Sequence, residues 1–481
     1  MNSFAFAPIL PEILLLCGAC IVLIGDAFLP DAKRHLSFWA TQVVLLAAAV
    51  ASYETLQVHP GSALSGMVVD DMLSGTLKTI SCLVVSLTLF YSRGYCASRG
   101  LFRGETFVLM LFALLGVMVM IAAGSFVTLY LGLELLSLAS YSMVAMHRTS
   151  NAASEAAMKY FVLGALASGI LLYGMSMIYG ASGSLDIAVV AKTLSAEGAN
   201  RTILIFGLVF LVSGVAFKLG AAPYHMWVPD VYDGAPTAVT LLIAGVPKLA
   251  SYAFMLRLLG VALGSMWFDW QGMLLVLAIV SMVLGNVIAI AQTNIKRMLA
   301  YSSIANMGYM LVAFLAANPN GFSAAMFFAI AYVLTSLASF GIIMLLSRDG
   351  FEADQLVDFK GLNQRSPWWA FMMLLVMFSL AGVPPTVGFY AKFTIIDAAV
   401  DAGFVWLAVI AVMTSLVGAF YYLRIVKLMY FDDPIDKAPI GARADNRALL
   451  SANGLALLIF GMMPQPLLDL CVVALANSGL L

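Results

Sequence analysis

The sequence predicts an all-α polytopic membrane protein of about fourteen transmembrane helices. Two of them, helices 7 and 12, are broken, and helices 4–8 and 9–13 form two inverted five-helix repeats. Three observations carry this. The 481 residues are 63% hydrophobic and only 10% charged, against about 45–50% and about 25% in soluble domains. Apolar runs long enough to span a bilayer, roughly 20 residues each, recur along the whole chain. The lysines and arginines alternate between the two sides implied by those runs.

In order, the candidate spans are 8–28, 36–53, 72–92, 105–122, 125–146, 155–180, 202–228, 236–259, 271–290, 298–316, 321–347, 367–399, 402–430 and 447–470. Gly220-Ala221-Ala222-Pro223 interrupts the seventh. Segment 367–399 is too long for one straight span, and Leu380-Ala381-Gly382-Val383-Pro384-Pro385 interrupts it. Non-helical backbone at membrane depth is tolerated only where protein covers it or it lines a wet cavity. The chain divides into an N-terminal three-helix segment (1–104), a first five-helix repeat (105–260), an inverted second repeat (261–431) and a C-terminal helix (432–481).

Basic residues test the span count. With the N-terminus outside, sixteen of the 24 fall in cytoplasmic loops and helix ends: Lys33, Arg34, Arg93, Arg99, Arg103, Arg148, Lys296, Arg297, Arg348, Lys360, Arg365, Arg424, Lys427, Lys437, Arg443 and Arg447. Only Lys192, Arg201 and Arg257 fall on the outer side. That asymmetry is the positive-inside pattern. It places both termini on the non-cytoplasmic side.

Five lysines remain, all inside spans: Lys78, Lys159, Lys218, Lys248 and Lys392. Lys78 and Lys159 lie near helix ends, where a long side chain can reach the interface. Lys218, Lys248 and Lys392 each sit beside or just after a helix breaker. Ionisable groups in the membrane interior mark functional paths. Glu134 joins them, nine residues past Ser125 and thus about 13 Å along a helix, near the midplane. An unpaired carboxylate there is very costly, so it is either protonated or paired with a cation. Glu12, Asp26 and Asp397 lie near span ends and need less explanation. His225 follows the first break, and its ring titrates in the physiological range. It reads either as a relay group or as a satisfied structural histidine.

The repeat is visible in residues as well as in span order. Ala156-Ala157-Met158 recurs as Ala324-Ala325-Met326, and Gly220-x-x-Pro223 as Gly382-x-x-Pro385. A five-span unit repeated at once must insert upside down. Lys159 has Phe327 in its register position, so the halves differ chemically.

Several classes are excluded. Net charge is −1, which argues against a nucleic-acid partner. Cys17 and Cys20 lie in an apolar helix with no second pair, so they read as packing residues rather than a metal or cluster site. No G-x-G-x-x-G, phosphate loop or cysteine quartet is present. No cofactor is therefore expected in this chain. No cleavable leader is expected, since the first apolar segment is long and lacks a basic start.

The stretches Lys218–Thr237 (KLGAAPYHMWVPDVYDGAPT) and Asn294–Ile304 (NIKRMLAYSSI) are the most specific signatures. With the broken helices, the helix 5 glutamate and the lysines on helices 7, 8 and 12, they resemble the antiporter-like membrane subunits of respiratory complex I. Those are relatives of Mrp cation/proton antiporter subunits. The resemblance covers essentially the whole chain and is nearest the N type. The chain is too short for the L type, and it carries Lys392 where the M type has a glutamate.

The resemblance implies that Glu134 and Lys218 form an ion pair, with Lys248 central and Lys392 terminal in a proton relay. It implies that NADH, FMN, iron–sulfur clusters and quinone are bound by other subunits. It also implies further antiporter-like chains as neighbours and a bacterial inner membrane as the location. Burial penalises an ammonium and a nearby carboxylate favours it, so movement of Glu134 could switch proton release from Lys218. Moving one charge against 100 mV requires about 2.3 kcal/mol. Two other readings remain open, a sodium/proton antiporter subunit of the Mrp type and a structural membrane subunit. One deep carboxylate against three deep lysines favours protons over sodium.

Overall fold

A computed structural model describes residues 6–54, 61–194, 200–436, 438, 440–441 and 443–479. Lys437, counted above among the cytoplasmic bases, lies outside them. The described residues form a helical bundle with one small hairpin. It opens with α1 (Leu10–Ala27), α2 (His35–Glu54) and α3 (Met72–Ser98). Strands β1 (Gly61–Ala63) and β2 (Val68–Asp70) pair antiparallel just before α3. Asp71 caps α3 reciprocally with Ser74, satisfying backbone N–H groups the helix start leaves open.

Next come α4 (Gly104–Ile121), α5 (Phe126–Val144), α6 (Asn151–Ser182), short α7 (Ile187–Leu194), α8 (Arg201–Leu219), α9 (Trp227–Gly234), α10 (Thr237–Ala244) and α11 (Val246–Met255). A π-helical turn, Leu256–Ala262, extends α11. The second set is α12 (Trp267–Ile290), α13 (Ile295–Phe314), α14 (Pro319–Leu346), short α15 (Leu362–Arg365), α16 (Pro367–Ala381), α17 (Val387–Asp401) and α18 (Val405–Phe431). Helices α19 (Ala444–Met462) and α20 (Gln465–Ala476) close the chain.

Among the described residues, eleven helices are long and apolar enough to cross a membrane, and a bent pair makes twelve. These correspond to twelve of the expected segments. The other two are helical but of a different kind. Segment 298–316 is α13, enclosed on nearly every side, with Ser302, Ser303 and Asn306 buried in it. A helix that never meets lipid can carry polar groups that pair inside the protein. Segment 367–399 is two 15-residue helices, α16 and α17. The C-terminal segment, expected as one helix, bends by 82° between α19 and α20. Pro464 explains the bend: the preceding residue is pushed out of helical geometry, and Met463 has φ −130° and ψ 71°.

Helices α13 and α14 form the centre, whereas α1, α2, α6 and α18 point Ile21, Leu46, Met158 and Leu416 outward. That is the distribution a lipid-facing bundle requires. Close approach is set by small residues, as in membrane helix pairs generally. A Cβ on Gly132 of α5 would lie 2.6 Å from Met120 N and 2.7 Å from Gly116 O of α4. Gly285 of α12 and Gly308 of α13 play the same part in the second set. Because Gly132 precedes Glu134 by two residues, this crossing also sets the position of the deep carboxylate.

A side chain at Gly132 would meet backbone, which cannot yield. Gly132→Val should therefore lower the melting temperature of the purified protein and its yield in the membrane. Gly94→Ala, where an added Cβ meets nothing within 4 Å, should leave both unchanged.

Candidate functional site

The site is built at the two expected breaks. Helix α8 ends at Gly220, which has φ +75°, a left-handed conformation that favours glycine. Ala221 N–H donates to Ala216 O and Gly220 N–H to Phe217 O, the paired closure of a Schellman cap. Gly382, with φ +81°, ends α16 in the same way, through Val383 N–H to Phe378 O and Gly382 N–H to Ser379 O. Both breaks then contain a cis X–Pro bond, Ala222–Pro223 and Pro384–Pro385.

The cap leaves carbonyls beyond its reach. In a continuous helix Leu219 O would accept from residue 223, and Leu380 O and Ala381 O from residues 384 and 385. All three of those residues are prolines and have no N–H to give. Lysines take their place. Lys248 Nζ donates to Leu219 O at 2.8 Å. Lys392 Nζ donates to Leu380 O at 2.9 Å, Ala381 O at 3.2 Å and Ser415 Oγ at 3.0 Å. Each ammonium thus sits at the negative end of a helix dipole.

Lys248 is 2% exposed and is carried by a third interruption. Gly245, at φ −97° and ψ −99°, separates α10 from α11, and Pro247 lies in the first turn of α11. Lys218, in the last turn of α8, donates to Ser137 Oγ at 2.9 Å and Ser168 Oγ at 3.3 Å. Lys218 and Lys248 line one cavity of about 30 Å³ with Ser137, Tyr160 and Ser251, room for a water molecule. Lys392 lines a second, about 10 Å³, with Asn306, Tyr332, Thr335 and Ser379.

An ammonium has three N–H donors. Lys392 finds acceptors for three, Lys218 for two and Lys248 for one. All of these acceptors are uncharged. Lys248 and Lys392 can therefore give up a proton without stranding a buried carboxylate.

Residues 123–418 match the family described as NADH:quinone oxidoreductase/Mrp antiporter, TM. A Thiobacillus denitrificans protein named NADH-quinone oxidoreductase subunit N is 57% identical over 478 residues, 99% of each chain. The chain belongs to this family. A chain of respiratory complex I from Thermus thermophilus, solved with bound aureothin, is 30% identical with a TM-score of 0.82, over 96% of this chain and 99% of that one. A chain of the Mrp complex from Dietzia sp. shares the fold at a TM-score of 0.85 and 24% identity, over 99% and 98% of the two chains.

Membership sharpens what the geometry changes. The direct Glu134–Lys218 ion pair implied by the resemblance is not formed. Ser137 lies one turn beyond Glu134 on α5, and its hydroxyl receives the ammonium instead. Glu134 Oε1 is buried without a hydrogen-bond partner. Lys159 is not brought to the cavities. It pairs with Glu155 at 2.8 Å and Asp230 at 2.7 Å, with its side chain 44% exposed. His225 lies in the turn between α8 and α9, its Nδ1 buried and unpartnered and its ring 6.4 Å from that of Tyr301.

Three charges differ from expectation. Lys78 does not reach an interface: it is fully buried and pairs with Glu12 at 2.6 Å. Glu12 is therefore a buried carboxylate. Arg257, expected at the outer surface, is 1% exposed. It holds Asp71 at 2.9 Å and Ile121 O at 2.6 Å. Lys296, expected in a cytoplasmic loop, is buried and donates to Ala235 O at 2.8 Å. Ser137, Ser168 and Ser415 were not expected from the sequence as partners of the lysines. Ser137 carried a signal, since it stands three residues after Glu134 and so on the same helix face.

Lys392→Met should leave Leu380 O without its donor, at about 1–3 kcal/mol for a buried acceptor, whereas Ala381 O keeps the Ser415 hydroxyl at 3.3 Å. Hydrogen exchange in the assembled protein should then speed up at amides 382, 383 and 386–389. Exchange around Gly220 should not change.

Proposed function

We propose that this chain is a proton-translocating membrane subunit of a bacterial NADH:quinone oxidoreductase. It couples quinone reduction elsewhere in the complex to proton transfer through Glu134, Lys218, Lys248 and Lys392. One observation carries this reading: three lysines beside the helix breaks of an apolar bundle are held by neutral oxygens and line small cavities. A purely structural charge would be better served by a carboxylate, as at Lys78 and Arg257. The chain sits in the bacterial inner membrane with both termini periplasmic, as the distribution of basic residues implies. Its partners are the other membrane subunits, further antiporter-like chains among them. NADH, FMN, iron–sulfur clusters and quinone belong to other subunits.

The residues divide the work as follows. Lys248, with one protein acceptor, holds the proton between the Lys218 end and the second half. Lys392 is the terminal group. Glu134 acts on Lys218 across Ser137: with the carboxylate charged and close, the ammonium is favoured, and with it neutral or withdrawn, the proton is released toward Lys248. Lys159 and His225 flank this series, Lys159 through its link to Asp230. The glycine-crossed hairpins and the matching caps at Gly220 and Gly382 support reading 105–260 and 261–431 as inverted repeats.

Lys218→Met and Lys248→Met should each cut proton uptake per NADH oxidised in vesicles holding the whole complex, with assembly intact. Undiminished pumping in both would remove the relay. Glu134→Gln and Lys218→Met should be non-additive, the double variant being less impaired than the sum of the singles, because coupled charges do not add. Strict additivity would separate the two residues. A C-terminal alkaline phosphatase fusion should be active and a C-terminal fluorescent-protein fusion dark; the reverse pattern would invert the topology.

A further inference from the structure

Arg257 is a buried charge to which the lysine series gives no task. It stands in the π-helical turn that extends α11, and α11 carries Lys248. Gly245 separates this unit from α10, so the preceding helix does not fix its depth or rotation. Most of the unit is buried and apolar. Apolar contacts are non-directional; they keep the unit in the bundle without choosing its register.

Among the described residues, three of its side chains hydrogen-bond to other helices. Lys248 donates to Leu219 O and the Tyr252 hydroxyl to Phe322 O. Arg257 reaches two elements at once. Its Nε donates to Ile121 O at 2.6 Å and a terminal nitrogen to Asp71 at 2.9 Å. Asp71 is the N-cap of α3. Ile121 is the last residue of α4, whose Gly116 crosses α5 at Gly132 and Leu136. Helix α5 carries Ser137, the acceptor of Lys218. Lys248 and Arg257 are about 13 Å and about two and a half turns apart along a helix. The unit is thus held from opposite faces, by the lysine against α8 and by the guanidinium against α3 and α4. A planar guanidinium fixes two bond directions together, and so sets both depth and rotation.

We propose that Arg257, held by Asp71, is a positioning residue that sets the register of the α11 unit and so keeps Lys248 at the Leu219 carbonyl. This rests on the function proposed above. Arg257 transfers no proton; it stays charged and acts through the place it gives Lys248.

The test uses the whole complex in proteoliposomes, reading the amount assembled and the protons taken up per NADH oxidised across pH. Lys218 and Tyr160 are the titratable groups that share the cavity of Lys248, and both are left intact. Arg257→Met combined with Asp71→Asn removes both charges, so neither is stranded, and asparagine still caps α3. In assembled complex this double variant should lower proton uptake per NADH toward the level of Lys248→Met. It should also displace the pH midpoint of uptake, because Lys248 loses its fixed surroundings. Arg257→Lys keeps the charge without the fork and should do the same to a lesser extent. Parental uptake per NADH in the assembled double variant, or a smaller uptake at an unmoved midpoint, would overturn the proposal. Should the double variant fail to assemble, Arg257→Lys decides by the same two readings. Lys248→Met is run alongside. If it loses uptake while the Arg257 variants keep the parental profile, the positioning role alone falls. If Lys248→Met itself pumps as the parent does, the relay reading falls with it.

Discussion

Everything at the centre of this protein depends on what happens to a carbonyl whose hydrogen-bond partner is a proline. At both main breaks a glycine closes the helix and satisfies the first free carbonyls. The prolines that follow guarantee that Leu219, Leu380 and Ala381 stay open. In hydrocarbon those oxygens would be costly to leave bare. Lys248 and Lys392 complete them. The break and the buried ammonium thus stabilise one another, and each alone would be a liability.

The charges fall into two kinds. Glu12–Lys78 and Asp71–Arg257 are buried, direct ion pairs at 2.6 and 2.9 Å. Removing either member would strand the other, which is strongly destabilising, so these pairs are suited to hold helices together. Lys218, Lys248 and Lys392 are served by hydroxyls and carbonyls instead. Losing a proton at Lys248 or Lys392 leaves only neutral groups behind. The same residue type is static in one setting and exchangeable in the other, and the partner makes the difference.

Packing sustains that arrangement. The glycine crossing of α4 and α5 brings backbones together and fixes the depth of Glu134 and Ser137 relative to α8. The enclosure of α13 and α14 lets serine, asparagine and tyrosine persist inside a bundle that is otherwise apolar. A wider helix spacing would admit lipid and make those groups untenable.

Amino-acid sequence alone determined the all-helical membrane architecture, because long apolar runs admit no other solution in a bilayer. It also marked the breaks at Gly220 and Gly382, where glycine and proline act locally through φ and a missing N–H. It singled out Lys218, Lys248, Lys392 and Glu134, since charge within an apolar run is visible without any fold. Tertiary structure decided which oxygen each ammonium meets. Leu219 and Lys248 are 29 residues apart, and no local rule relates them. It also decided that Lys218 meets Ser137 rather than Glu134, that Lys78 is buried against Glu12, and that Arg257 is interior. These outcomes depend on how helices distant in sequence are packed, and side-chain partners across such contacts are set by that packing rather than by composition or spacing.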